Sequence, residues 1–470
     1  MNKSSAIDVK SFDTAADQGV DTRATAAAPA RARVAAVDIY RGLVMLLLLP
    51  DIEGGWSFYK LAQEHPDNRL WGALASAFTH SQWAGMTVWD MVMPSFLFLV
   101  AVAMPFSVAS RRGRGDSQAH IYLHLLLRSA ALILLAMILR IRLRTLGDEL
   151  WPFIVLSAGL PIRAAVRGVP WLSKRVDGGG LELLWWALIL SAATAHVLKS
   201  LAAIGNYDLC HVFTQLALAS VCAFALIGKG VRVQLSAAVL ILVAYTAVFV
   251  LYPLPGPDFN PAQHGVHPGD QVFAGRFAHW NKGSNVAAAF DTWFLNLLPR
   301  AETYRFSLAG VQTLAFISTI ATFIFGIMAG ELLRSGRAPA HIRNTLLKWG
   351  AGGMAVGLLA GVALCPIVKS LWTPSWTLLS AGCCAVILAG FYELCEIRGR
   401  SPQLFPLLVL GTNSILLYTL ASEYRWWFLA RVQQLGIDLR SAPLAESAVF
   451  ILLLWMLAYV LHRWRIMIRL

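Results

Sequence analysis

Apolar stretches long enough to cross a bilayer recur along nearly the whole chain, and polar residues gather in the short runs between them. Against the roughly 20 residues that a membrane helix needs, they fall near 36–51, 88–109, 121–142, 150–167, 181–204, 208–228, 233–253, 308–333, 345–366, 375–396, 404–422 and 446–463. The pattern predicts an all-α, polytopic membrane helix bundle of about twelve transmembrane helices. The fourth and fifth stretches are the weakest, since 150–167 is short, holds Pro161 and Arg163, and is equally compatible with a re-entrant segment. Glycines spaced by four, Gly326 and Gly330, then Gly353, Gly357 and Gly361, let neighbouring helix backbones approach closely. Ahead of the first span, residues 1–33 are polar and Ala-rich and are expected to form a disordered cytoplasmic tail. No short apolar core with a cleavage site precedes that span, so it is read as a retained helix.

Composition strengthens this picture. Hydrophobic residues make up 57% and charged residues 14% of the 470 positions, and the mean hydropathy is +0.60; a soluble domain of this length would carry far more charge. The net charge of +13 would suit a nucleic-acid partner if the cations formed a separate domain, but they sit at the ends of apolar stretches, where membrane lipid is the neighbour. Nucleic acid is therefore not an expected partner. The six cysteines lie in or beside apolar stretches with no CxxC pair, which argues against structural disulfides and against a metal site.

Charge then sets an orientation. With the N-terminus inside, the inner turns carry Arg111, Arg112 and Arg114; Arg163, Arg167, Lys174 and Arg175; Lys229 and Arg232; Arg334, Arg337 and Arg343; Arg398 and Arg400; and Arg463, Arg465 and Arg469. This bias places both termini in the cytoplasm. Arg140, Arg142 and Arg144 go against it. Three long loops fall on the outer side, 52–86, 253–307 and 422–444, and loops of that length usually have a task. The middle one mixes Pro and Gly with His279, Trp280, Asp291 and Arg300, a set suited either to a sugar ring or to anchoring at the membrane interface.

Ionisable residues in or beside spans are the candidates for chemistry. Asp38 and Arg41, three apart in AVDIYRGL, share a helix face; they form either a self-neutralising pair or an arginine available to a phosphate. Asp51 ends the same stretch, about 15 Å further along a helix axis than Arg41, and Gly54 and Gly55 allow a close backbone turn after it. His80, in THSQWAGMTVWD, is a candidate proton carrier because imidazole titrates near neutral pH, although a lone interfacial histidine is also often a satisfied polar residue. Trp83 lies beside it, and Asp90 follows as a carboxylate able to orient it or to pair with an arginine. Asn413 and Ser414 set an amide and a hydroxyl in an apolar stretch, where interhelical bonding is the simpler reading.

These residues bring a family into view. The run VDIYRGLVMLLLLPDIEGGW, followed by FTHSQWAGMTVWDMVMPSFLFLVAVAM, resembles the N-terminal signature of the heparan-alpha-glucosaminide N-acetyltransferase-like transmembrane acetyltransferases. PGPDFNP, FDTWFLNLLPR, CPIVKSLWTPSWTLLSAG and GTNSILLYTLASE extend the resemblance from Ala36 to about Ser422. It implies transfer of an acetyl group from cytosolic acetyl-CoA, a co-substrate, to an amino sugar or glycan on the far side of the membrane, with no metal. The family's essential histidine falls on His80, and its tryptophan and aspartate on Trp83 and Asp90; its DxxRG motif falls on Asp38, Arg41 and Gly42, and its Asn-Ser on Asn413 and Ser414. The implied roles are catalytic for His80, Asp51 and Asp90, acetyl-CoA binding for Asp38, Arg41, Asn413 and Ser414, and acceptor binding for Trp83, Gly54 and Gly55.

Two departures stand out. Asp51 replaces a family asparagine, so a donor amide becomes a carboxylate that cannot donate while ionised. Residues 146–205 read as an inserted helical hairpin, and removing its two spans leaves the ten-helix core that the resemblance implies. Read as a bacterial member, the protein is expected in the inner membrane, with N-acetylation favoured over O-acetylation and a homodimer left open. The alternative is a sugar or oligosaccharide permease or flippase without transferase activity.

Overall fold

The computed structural model describes residues 34–50, 56–141, 208–436 and 442–466, with Thr194 alone in the interval 142–207. The tail 1–33, Asp51, Gly54, Gly55 and the two spans expected within 146–205 lie outside the described residues. Every element below belongs to the unit that begins at Val34.

All regular structure among the described residues is helical. In chain order the α-helices are α1 Ala35–Leu48, α2 Phe58–Glu64, α3 Arg69–Ala77, α4 Val92–Arg112, α5 Gln118–Ile141, α6 Val212–Phe224, α7 Val231–Leu251, α8 Val286–Leu295, α9 Ala315–Arg334, α10 Pro339–Ala363, α11 Pro374–Tyr392, α12 Phe405–Thr412, α13 Ser414–Gln434 and α14 Pro443–Arg463. A 3₁₀ turn, Trp89–Met91, leads into α4, and a π turn, Glu393–Ile397, follows α11. Seven of the described helices are long and apolar enough to span a membrane, and α12 with the start of α13 makes an eighth if that bent pair counts as one span. The protein is an integral membrane helix bundle.

Several elements depart from the expected boundaries, and the stretches expected to span at 36–51 and 208–228 form helices of only 14 and 13 residues, short of the roughly 20 that a crossing needs. α1 stops at Leu48, short of 51: Leu49 still donates its amide to the Met45 carbonyl at 2.9 Å, but Pro50 has no N–H with which to continue the ladder. The single span expected at 404–422 is broken, with Asn413 leaving the helix at φ −125°, ψ 37° and the two halves bent by 63°. Beyond the break α13 runs on to Gln434, so much of the loop expected at 422–444 is helix.

Small residues decide the tightest crossings. Gly42 of α1 and Gly411 of α12 face one another so closely that a Cβ on either would overlap the backbone carbonyl of Leu407 or Asp38. A Cβ on Gly326 would lie 2.7 Å from the Phe98 carbonyl oxygen of α4, and one on Gly357 only 2.5 Å from the Leu379 amide nitrogen of α11. The glycine spacing seen in the sequence thus serves helix packing. Within the bundle, Tyr40 Oη lies 2.8 Å from Ser95 Oγ, and Cys384 Sγ lies 3.6 Å beyond that hydroxyl, so polar groups from α1, α4 and α11 satisfy one another where no water reaches.

α11 links the two ends of the molecule. The loop before it carries Lys369, which contacts His80, and the π turn after it carries Glu396, which accepts from the Ala36 amide at 3.4 Å. Nineteen residues of helix at 1.5 Å each hold those ends about 28 Å apart. Asp38 and Arg41 therefore belong to one half of the bundle and His80 to the opposite face.

Candidate active site

The site at the His80 face begins with a capping box. Thr87 and Asp90, three apart, bond reciprocally: the Asp90 amide donates to Thr87 Oγ1 at 3.2 Å, while Thr87 donates to Asp90 Oδ2 through its amide at 3.2 Å and its hydroxyl at 3.1 Å. This starts the Trp89–Met91 turn and α4. The Ser81 amide adds a third donor to Oδ2 at 3.1 Å, which ties the His80 segment to the head of the helix.

The other carboxylate oxygen serves His80. Asp90 Oδ1 lies 2.7 Å from His80 Nδ1 and 3.1 Å from Lys369 Nζ. Asp90 is 0% exposed, whereas the His80 side chain is 54% exposed. A carboxylate accepts only, so the 2.7 Å contact requires the proton on Nδ1, and in a neutral imidazole Nε2 is then the nitrogen with the lone pair. That is the arrangement of an oriented general base. Asp90 was expected to orient His80 or to pair with an arginine; its cationic partner is a lysine. Burial pushes the Lys369 ammonium below its usual value, and the Asp90 carboxylate pushes it back up.

Lys369 was not singled out from the sequence. A signal was present, because it is the only charged residue between Lys348 and Glu393, a lone cation at the outer end of a hairpin where the orientation rule expects few.

Trp83, expected against the acceptor, is 4% exposed and donates its indole N–H to the Trp280 carbonyl at 3.0 Å. What it contacts is the 253–307 loop, so it fixes the segment that carries His80. Trp280 in turn stacks on Phe249 with ring centroids 4.3 Å apart. Trp280 and Asp291 are both fully buried; these two residues of the loop build its interior and are closed to a sugar.

The loop nevertheless encloses a cleft of about 530 Å³, lined among others by Tyr252, Phe259, Trp293, Tyr304, Phe306 and Gln312. Tyr304 Oη and Gln312 Oε1 are buried without a hydrogen-bond partner among the described residues. The segment 307–312 runs from this cleft toward His80: Gly310 packs on the Trp83 ring, and Ser370 Oγ donates to the Ala309 carbonyl at 3.3 Å, next to Lys369. Asp291 anchors the same segment by accepting from the Thr313 amide at 2.9 Å. Burial pushes its carboxyl up to about 7, with the charge of Asp208 adding to the rise and the Thr313 bonds opposing it.

The second group of expected residues converges at the α1–α12 crossing. Arg41 Nη1 lies 3.2 Å from Asp38 Oδ1 and 3.5 Å from the Gly411 carbonyl, and Asn413, two residues on, donates to the Ile466 carbonyl at 3.2 Å. Ser414 is buried beside it. Asp38, Arg41, Asn413 and Ser414 thus gather at one crossing, with Arg41 already holding protein partners. Arg343 and Arg398, both paired with Glu393, add cationic groups at that end.

Over 458 residues the chain is 23% identical to heparan-alpha-glucosaminide N-acetyltransferase of Homo sapiens. The likeness is to an acetyl-transferring enzyme. It takes in 92% of this chain and 59% of the relative, so the chain spans 59% of the length of the curated protein it matches. No family model matches. The similarity supports a transferase role in general terms, on a helical membrane scaffold.

Proposed function

We propose that this protein is a membrane-embedded acyltransferase that moves an acetyl group from cytosolic acetyl-CoA to the amine of an amino sugar or glycan on the extracytoplasmic side. One observation carries the reading: a half-exposed imidazole whose Nδ1–H is held by a buried, capped carboxylate, leaving Nε2 open at the membrane face. His80 takes the proton released as the acceptor nitrogen bonds to the acetyl carbon and the C–S bond breaks. The same proton can neutralise the departing CoA thiolate, so the imidazole ends as it began. Asp90 fixes the ring and its tautomer. Further sugar units of a glycan acceptor would lie in the aromatic cleft beside Trp293 and Phe306.

At the other end, Arg41 with Arg343 and Arg398 supplies cations suited to the phosphates of CoA, while Asp38, Asn413 and Ser414 shape the crossing around them. Twelve spans, with an inserted hairpin at 146–205 and both termini cytoplasmic, complete the expected topology in a bacterial inner membrane.

A permease reading draws on one feature, the helix broken at Asn413, because transporters bind substrate at such discontinuities. Proteoliposomes given labelled acetyl-CoA outside and glucosamine inside, then the reverse, separate the two. N-acetylglucosamine formed with the wild-type protein and absent with His80→Ala supports the transferase; sugar uptake without product overturns it.

A further inference from the structure

Lys369 Nζ, His80 Nδ1 and Asp90 Oδ1 form a triangle with sides of 3.1, 3.1 and 2.7 Å. Two donors share one acceptor oxygen, since Nδ1–H and the ammonium both point at Oδ1. Oδ2 is filled separately by the Ser81 amide and by the Thr87 amide and hydroxyl. Five donors thus occupy a carboxylate that offers about four lone-pair sites, so Asp90 has no capacity left to bind an acceptor amine or to take a proton from it.

The arrangement also settles the local charge. A buried carboxylate alone beside an imidazole favours the imidazolium and would hold the transferred proton on the ring. With an ammonium 3.1 Å from the same oxygen, the Asp90–Lys369 pair is neutral, and a proton taken up by Nε2 meets no net negative charge to retain it. Among the described residues, Asp90 is the ionisable group bonded to His80 and Lys369 the one that lies against it across the shared Oδ1, while the ring of Trp89 has its centroid 6.3 Å from that of His80. The Lys369 side chain is only 18% exposed, so solvent screens this balance weakly.

We propose that Lys369 is a positioning residue: it balances Asp90 so that His80 stays a neutral, Nδ1-protonated imidazole able to accept a proton and to release it again. The role rests on the transferase reading for its catalytic consequence, but the state of the imidazole can be observed without turnover. Lys369 reaches His80 from a loop 289 residues away in sequence, so the base is complete only when the α10–α11 hairpin packs against the His80 loop.

The test uses the full-length protein in lipid nanodiscs, labelled with ¹⁵N-histidine, as wild type, Lys369→Met, Lys369→Gln and Lys369→Arg. His80→Gln identifies the His80 signal. At pH 7 the wild-type and Arg proteins should show the neutral Nδ1–H signature, and Met and Gln should shift toward the doubly protonated one. In the transfer assay, Met and Gln should lose at least tenfold in kcat with acceptor KM within about twofold, and Arg should recover most of that loss. A neutral, wild-type-like imidazole in both Met and Gln overturns the proposal, and so does a loss expressed only in KM. If the wild-type protein makes no acetylated product, the transferase reading fails, while the nitrogen signals still decide whether Lys369 sets the state of His80.

Discussion

The backbone of Gly411 lies directly against the carbonyl oxygen of Asp38, leaving no room for a methyl group between α12 and α1. Gly42 makes the reciprocal approach to Leu407. Because backbone and not a flexible side chain lines both contacts, Gly42→Ala or Gly411→Ala should destabilise the protein by about 1–3 kcal/mol or more. Gly72→Ala, with nothing within 4 Å of the added carbon, should not. Thermal melting of the three variants in detergent, followed by size-exclusion chromatography, checks this.

His80→Ala should lower turnover by roughly 10²–10⁴-fold, the range typical of a lost general base, with little change in melting temperature because the side chain is half-exposed. Asp90→Asn should lose comparable activity and in addition about 1–3 kcal/mol of stability, since the buried carboxylate also caps α4. A full-activity His80 variant would remove the residue from the reaction.

Arg41→Ala should weaken acetyl-CoA binding by roughly tenfold, about 1.4 kcal/mol, while leaving the acceptor KM unchanged. Calorimetric titration of the purified protein with acetyl-CoA measures it. Unchanged affinity would leave Arg41 as a partner of Asp38 and Gly411 only.

Asp51, where the family resemblance expects asparagine, admits a kinetic test. If a protonated carboxyl substitutes for the amide, activity falls as pH rises through its titration, and Asp51→Asn preserves or improves transfer and flattens that limb. If the ionised carboxylate binds the acceptor amine, the same change raises acceptor KM and leaves acetyl-CoA binding alone.

Asp291 should make the 253–307 loop sensitive to pH. Its carboxyl is raised to about 7 in the folded protein from an ordinary value near 4. Stability is then full below pH ~4 and is lost as pH rises through ~7, by an amount on the order of 4 kcal/mol. Asp291→Asn, neutral at every pH, should keep the Thr313 bond and flatten the loss. Melting temperatures at pH 5 and pH 8 should differ more for the wild type than for the variant.

Much of this architecture was legible in the sequence because hydropathy reports burial in lipid directly. Ten of the expected apolar stretches overlap helices among the described residues, whereas the Thr87–Asp90 cap that holds His80 was not read from the sequence, although a threonine three residues before an acid is capping-box spacing. The break at Asn413 was not legible, since a window of bilayer length averages over a single residue, and the partner its side chain takes there, the Ile466 carbonyl just past α14, is 53 residues away. Lys369 was missed for a related reason. Its partner Asp90 lies 279 residues earlier, and only packing of α11 beside α4 brings the two charges together.

The break at Asn413 has a consequence for how the chain is made. Backbone groups freed at an interruption inside lipid have no water to turn to and must be covered by protein. Here α1 covers one side, and the side chain of Asn413 itself is tied down by donating its Nδ2 to the carbonyl of Ile466, just past α14. Ile466 is synthesised after α12 and α13, so those two helices enter the membrane as an unfinished span that only the arrival of α14 and the residues that follow it completes. A chain truncated after α13 should therefore be inserted yet fail membrane quality control, which makes α14 a checkpoint in biogenesis.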